Sequence, residues 1–212
     1  MKFAYFHIPL CIACSVLSAG NAQANLLTNG SFESPVLSSP FTRTYAADST
    51  AIVGWTVVGG PVEHNAEGYA YFDASDGKQL VDLTGIYGYN KGLISDAVST
   101  VVGASYILSF DLGSIFAWGS TTVSVQINDE TPVLFVNVKN GTGYTTDWET
   151  ESLTWVADDL TAQITFLGVA NSALSNDGVI PLDNVVFKAV GNPIPEPATY
   201  TMILAGLGLM GQ

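Results

Sequence analysis

The sequence predicts an all-β protein, a single antiparallel β-sandwich of jelly-roll type across residues 25–190. Three observations predict it. Apolar residues recur with period two in segments rich in Val, Ile, Thr and aromatics, the pattern of half-buried strands. Turn-forming pairs separate these segments at short intervals. No stretch of residues 25–190 carries a convincing 3.6-residue period, which an amphipathic helix would require.

Taken in order, Tyr106, Leu108, Phe110 and Leu112 alternate with Ile107, Ser109 and Asp111. Val123, Val125 and Ile127 alternate with Thr122, Ser124 and Gln126. Leu134, Val136 and Val138 form the next strand, followed by Leu153 with Trp155, Ile164 with Phe166, and Val185 with Phe187. The turns between them are Asn128-Asp129, Asn140-Gly141, Asp158-Asp159 and Asn176-Asp177-Gly178. Asn29-Gly30-Ser31 reads as a turn as well. Trp55 and Trp155 are expected in the core. Many short strands with this punctuation build sandwiches rather than parallel sheets.

The two ends differ from this body. Met1-Lys2, an apolar run over residues 3–18 and Ala22-Gln23-Ala24 have the three-part layout of a cleavable, helical secretory signal. Residues 1–24 are read as that signal, with Ala22 and Ala24 at the positions signal peptidase reads. The apolar run is shorter than the about 20 residues a spanning helix needs. Both cysteines, Cys11 and Cys14, fall inside it. Residues 25–212 therefore offer no disulfide, thiolate nucleophile or Cys-ligated zinc. Residues 191–212 begin as a Pro- and Gly-rich linker and end in a short, apolar, glycine-containing tail.

Charge excludes several functions. The chain carries 6 Lys and Arg against 19 Asp and Glu, a net charge of -13. Such a surface repels nucleic acid and anionic lipid. No basic patch or Gly-rich phosphate loop is present.

The tail resembles the PEP-CTERM sorting signal, through Pro195-Glu196-Pro197-Ala198-Thr199-Tyr200 and the small apolar run at 203–211. It lacks the arginine cluster that closes such tails. The resemblance implies an exported protein of a Gram-negative bacterium, at the cell surface or outside it, in a biofilm or exopolysaccharide setting. Pro195, Glu196 and Pro197 would be the sorting motif. The implied partner is a membrane protease of the exosortase type, with transient membrane contact through the tail. The body resembles galactose-binding-like sandwiches, especially DUF642-type domains. The resemblance rests on the order of Asn25-Leu26-Leu27-Thr28-Asn29-Gly30-Ser31-Phe32-Glu33, Gly54-Trp55-Thr56, Val62-Glu63, Gln79-Leu80-Val81-Asp82-Leu83, Tyr106–Phe110 and Leu182-Asp183-Asn184-Val185.

That second resemblance implies a structural Ca²⁺ between the first and last strands, held by Glu33, Asp183 and carbonyl oxygens around Asn29 and Ser31. Calcium takes six to eight oxygen ligands, which carboxylates and carbonyls supply. The competing reading makes Glu33 a turn cap and Asp183 a solvated turn residue. For a sugar, the candidate rings are Tyr87, Tyr89, Trp118 and Trp148, aromatics set among glycines or beside Asp147. The competing reading is that each ring covers core.

An enzyme is harder to build. His64 is the sole histidine after the signal and is read as a surface pair with Glu63; no G-x-S-x-G elbow accompanies it. Paired carboxylates, such as Asp73 with Glu63, would be needed for a glycan hydrolase. The expected function is an exported, non-catalytic surface or extracellular-matrix protein associated with exopolysaccharide. A matrix protein without a specific ligand and a hydrolase are the alternatives.

Overall fold

The computed structural model describes residues 23–38, 40–70, 72–85, 88–115, 120–139, 145–169 and 179–191. The signal segment up to Ala22, the sorting motif, Tyr87 and Trp118 lie outside them.

Two antiparallel sheets face each other. The first has six strands: Thr42–Tyr45 (β1), Val62–Ala66 (β3), Gln79–Asp82 (β4), Pro181–Ala189 (β13), Ser105–Ser114 (β7) and Asp147–Val156 (β10), in that spatial order. The second has five: Trp55–Val58 (β2), Gly92–Ser95 (β5), Ile164–Gly168 (β12), Thr121–Ile127 (β8) and Val133–Asn137 (β9). Val98–Ser99 (β6) and Thr161–Ala162 (β11) pair as a short ribbon. Among the described residues there is no helix.

Alternation along the strands supplies the core. Tyr106, Leu108, Phe110 and Leu112 of β7 are buried, and so are Val123, Val125 and Ile127 of β8, Phe166 of β12 and Phe187 of β13. The Phe110 ring meets Phe166 edge-on at 5.1 Å across the layers, a favoured quadrupole arrangement. Trp55 and Trp155 are buried, as the sequence predicts.

The strand predicted from Leu134, Val136 and Val138 forms, but those three side chains stay exposed. The other parity of β9 turns inward, placing Phe135 at 5.2 Å from Phe110. Both faces of β9 are apolar, so period alone does not choose the buried one.

A β-bulge interrupts β13. Asp183 pairs with Asp111 and Val186 with Ser109, so two residues of β13 oppose one of β7. Asn184 adopts φ 49° there, a conformation Asn tolerates better than most residues. The bulge frees the backbone of Val185, and the chain's first described segment satisfies it. Val185 N donates to Gly30 O at 2.8 Å, and Asn25 Nδ2 donates to Val185 O at 2.8 Å. A Cβ on residue 30 would lie 1.9 Å from Val185 O, so glycine is required at that position.

Candidate functional site

The outward face of the six-stranded sheet is roofed by the loop between β3 and β4. Strand alternation puts Val81, Leu112 and Leu182 in the main core, so Leu80, Asp111 and Asp183 point to the opposite face. There Phe72 of the loop packs with Leu80 and Ile115 in a second apolar cluster, flanked by partly buried Tyr69, Ala74, Trp148 and Val179. Glu67 N donates to Lys78 O at 2.8 Å and closes the loop at its base.

Polar groups pin the roof at three points. Trp148 Nε1 donates to Asp73 O at 2.9 Å, while Asp73 N donates to Thr146 Oγ1 at 3.2 Å. Asp183 Oδ2 accepts from Ser75 N at 2.8 Å, Asp76 N at 3.0 Å and Ser75 Oγ at 3.2 Å. Glu33 Oε1 accepts from Lys78 N at 2.7 Å and Gln79 N at 2.8 Å. Gly77 has φ 76°, and a Cβ there would lie 2.4 Å from Glu33 Oε1. The left-handed turn and the close carboxylate together account for glycine at that position.

Asp183 thus sits at the centre of the site. Its Oδ1 accepts from Asn184 N at 2.7 Å, and the side chain is fully buried. Burial pushes its carboxyl up to about 7, against the opposing pull of the N–H donors. Asp111 is its cross-strand partner and accepts from Thr150 Oγ1 at 2.6 Å and Asn184 Nδ2 at 3.0 Å. A second acid pair stands one row away, where Glu63 of β3 faces Asp82 of β4. Burial raises both, Asp82 to about 6; the Lys91 ammonium opposes the rise at Glu63. Asp82 Oδ1 accepts from Thr84 N at 3.0 Å and Ile180 N at 2.9 Å.

His64 is not a surface residue beside Glu63. It is fully buried, with Nε2 2.8 Å from Phe32 O and 3.2 Å from Gln79 Nε2. Alternation turns neighbouring residues of a strand to opposite faces, which separates His64 from Glu63. Burial pulls the imidazole down to about 4. Gln79 Nε2 also donates to Phe32 O at 2.7 Å and Pro35 O at 3.0 Å, tying the segment after Glu33 to the same sheet.

Of the predicted site residues, the structure brings Trp148, Asp183 and Glu33 to one loop. Asn29 serves its own turn: Nδ2 donates to Ser34 O at 2.8 Å and Val53 O at 3.0 Å, and its carbonyl accepts Trp55 Nε1 at 3.1 Å. Ser31 is half-buried in the same turn. Tyr89 packs on the main core. Ala24 is exposed. Among the described residues, no group of three or more His, Cys, Asp or Glu gathers as a metal cluster. Asp111, Asp82 and Tyr69 were not singled out as site residues by the sequence. Alternation in β7 marks Asp111 as facing away from Leu112, but nothing in the order of residues announces the roof above it.

Comparisons with known proteins bear on both halves of the chain. The profile of a family described as "Protein of unknown function (DUF642)" matches residues 25–188. A PEP-CTERM protein-sorting motif matches residues 193–211 and marks an exported protein. Halomucin of Haloquadratum walsbyi is 29% identical over 188 residues, which are 85% of this chain and 2% of that protein. The chain thus spans a small fraction of that relative. Among solved structures, the Stig cyclase Fisc from Fischerella sp. TAU, bound to (3Z)-3-(1-methyl-2-pyrrolidinylidene)-3H-indole, superposes with a TM-score of 0.58 at 15% identity, over 80% of this chain and 98% of that one. A cyclase from Fischerella sp. TAU bound to 4-(1H-indol-3-yl)butan-2-one gives 0.57 at 16% identity, over 81% and 100%. At such identity the likeness shows the fold.

Proposed function

Because this chain belongs to the DUF642 family and carries a PEP-CTERM sorting motif, we propose that it is an exported, non-catalytic surface protein that binds extracellular polysaccharide on the roofed face of its larger sheet. The observation that carries this reading is the state of the paired acids. Asp183 is buried beneath the loop and held by Ser75 and Asp76, and its buried cross-strand partner Asp111 is held by Thr150 and Asn184. Glycoside hydrolysis needs two carboxylates flanking a bond in an open cleft, with room for water or a covalent intermediate. Here Asp183 instead ties down the loop beside the half-buried Trp148 and Tyr69 rings. An aromatic face with nearby polar groups is the usual means of holding a sugar.

The test is binding of the exported protein to a panel of bacterial exopolysaccharides, with release of reducing ends followed in parallel. Saturable binding that weakens at least about tenfold in Trp148→Ala supports the reading, about 1.4 kcal/mol of contact. Tyr69→Ala is the companion variant, and circular dichroism checks the fold of both. Reducing ends released by wild type and lost in Asp111→Asn would make the protein a hydrolase. Absence of binding to every polymer would favour a matrix protein without a specific ligand.

A structural Ca²⁺ held by Glu33, Asp183, Asn29 and Ser31 is a separate proposal. As arranged, Glu33 Oε1, both Asp183 oxygens and the Asn29 carbonyl accept hydrogen bonds from protein donors, so an ion would share those oxygens with them or displace some. A melting temperature lowered by EDTA and restored by Ca²⁺ supports the ion, since a ligand of the folded state stabilises it. An unchanged melting temperature removes it.

A further inference from the structure

β9 closes one edge of the five-stranded sheet and, among the described residues, pairs only with β8. Its outward side chains, with those flanking it, are unusually apolar for such a place. Leu134 is 60% exposed, Val136 41% and Val138 68%. No charge occurs from Thr131 to Val138. Natural edge strands are normally guarded by charge, proline within the strand or a bulge, because an open row of N–H and C=O groups templates pairing. The neighbouring edge is guarded in that way: β10 carries Asp147, Glu149 and Glu151. It runs close by, with Asn137 Nδ2 donating to Asp147 O at 2.9 Å.

We propose that β9 is a homotypic edge: two copies of this chain pair β9 to β9 antiparallel about a two-fold axis at Val136, joining their five-stranded sheets. Two features select a second copy. The chain carries a net charge of -13, so copies repel except where they meet through an uncharged surface, and residues 131–138 form one. The strand is also self-complementary. With Val136 on the axis, Leu134 of each copy opposes Val138 of the other on the same exposed face. Val136 opposes itself, and the three pairs make an apolar cross-strand ladder. A two-fold interface of this kind is isologous and closes at the dimer. The inward residues keep their partners: Phe135 stays on Phe110, and Asn137 Nδ2 stays on Leu112 O at 2.7 Å. The acids of the adjoining β10 strands add repulsion near the interface, so salt tightens the dimer by screening them.

The test is the mass in solution of the full chain recovered after export, by sedimentation across a concentration series. Wild type is expected to reach twice the chain mass, at lower concentration in high salt. Val136→Lys, which places two ammonium groups on the axis, is expected to remain at the single mass. Leu160→Lys, a control at an exposed leucine elsewhere, dimerises like wild type. Register is read independently with cysteines, against wild type as control because residues 25–212 hold no cysteine. Val136→Cys crosslinks to itself on mild oxidation, since directly opposed strand residues lie within disulfide reach. Leu134→Cys does not crosslink alone but does when mixed with Val138→Cys. A wild type of single mass throughout the series, or a dimer indifferent to Val136→Lys, overturns the proposal. Equal self-crosslinking of Leu134→Cys and Val136→Cys overturns the register.

Discussion

Three buried titratable residues contribute to the pH response of this fold, and they do not act in the same direction. Asp183 in the folded protein titrates at about 7, above its ordinary 3.8. Its stabilising contribution is therefore full below about 3.8 and is lost as pH rises through about 7. Asp82 behaves alike, with its window closing at about 6. His64 runs the other way: lowered from 6.5 to about 4, its contribution is full above 6.5 and is lost as pH falls through that window. The three are separated by variants. In urea unfolding, the stability of wild type relative to Asp183→Asn is expected to fall as pH rises from about 4 to about 8. A gap that stays flat or widens over that range would contradict the burial of Asp183. At a fixed low pH the same variant costs about 1–3 kcal/mol, because an amide group replaces an oxygen that accepts N–H donors. The sequence identified Asp183 and Glu33 as residues of interest, but not the backbone N–H groups of residues 75, 76, 78 and 79 that engage them. It read His64 as exposed because it sits next to Glu63, although neighbours in a strand face opposite ways.

At the scale of elements, strands with one apolar face were legible and the strand with two was not. β7 and β8 alternate apolar and polar residues, and their buried faces follow directly. β9 has Val133 and Phe135 on one face and Leu134 and Val136 on the other, so only the sheet opposite decides which is inside. The β13 bulge was also hidden, because its cause is a two-to-one register against β7 and its repair comes from residues 25–30, far away in sequence. Gly30 is the sharpest probe of that repair. Gly30→Ala forces a Cβ against Val185 O and is expected to cost about 3 kcal/mol in chemical unfolding. A loss under about 0.5 kcal/mol, the usual range for surface changes, would show that the N-terminal segment does not brace the bulge.

Across the whole molecule, the first and last described segments meet. Gln23 Nε2 donates to Gly191 O at 2.9 Å, and Leu26 N donates to Phe187 O at 2.8 Å. Residues 23–26 and 187–191 therefore lie side by side on the sandwich. The sandwich class and the sorting tail could be read from residue order, since alternation and the Pro195-Glu196-Pro197 pattern are local signals. The roofed face could not, since it joins the loop at residues 67–78 to β13 and β10 through contacts separated by about a hundred residues or fewer. Polysaccharide binding on this face is the function proposed for the protein. The most direct measurement is amide hydrogen exchange of the exported protein with and without a saturating exopolysaccharide. Slower exchange confined to residues 67–78 and the start of β10 is the predicted result, with Ser75 and Asp76 among the affected amides. Unchanged exchange there, with protection appearing on another surface, would contradict the account.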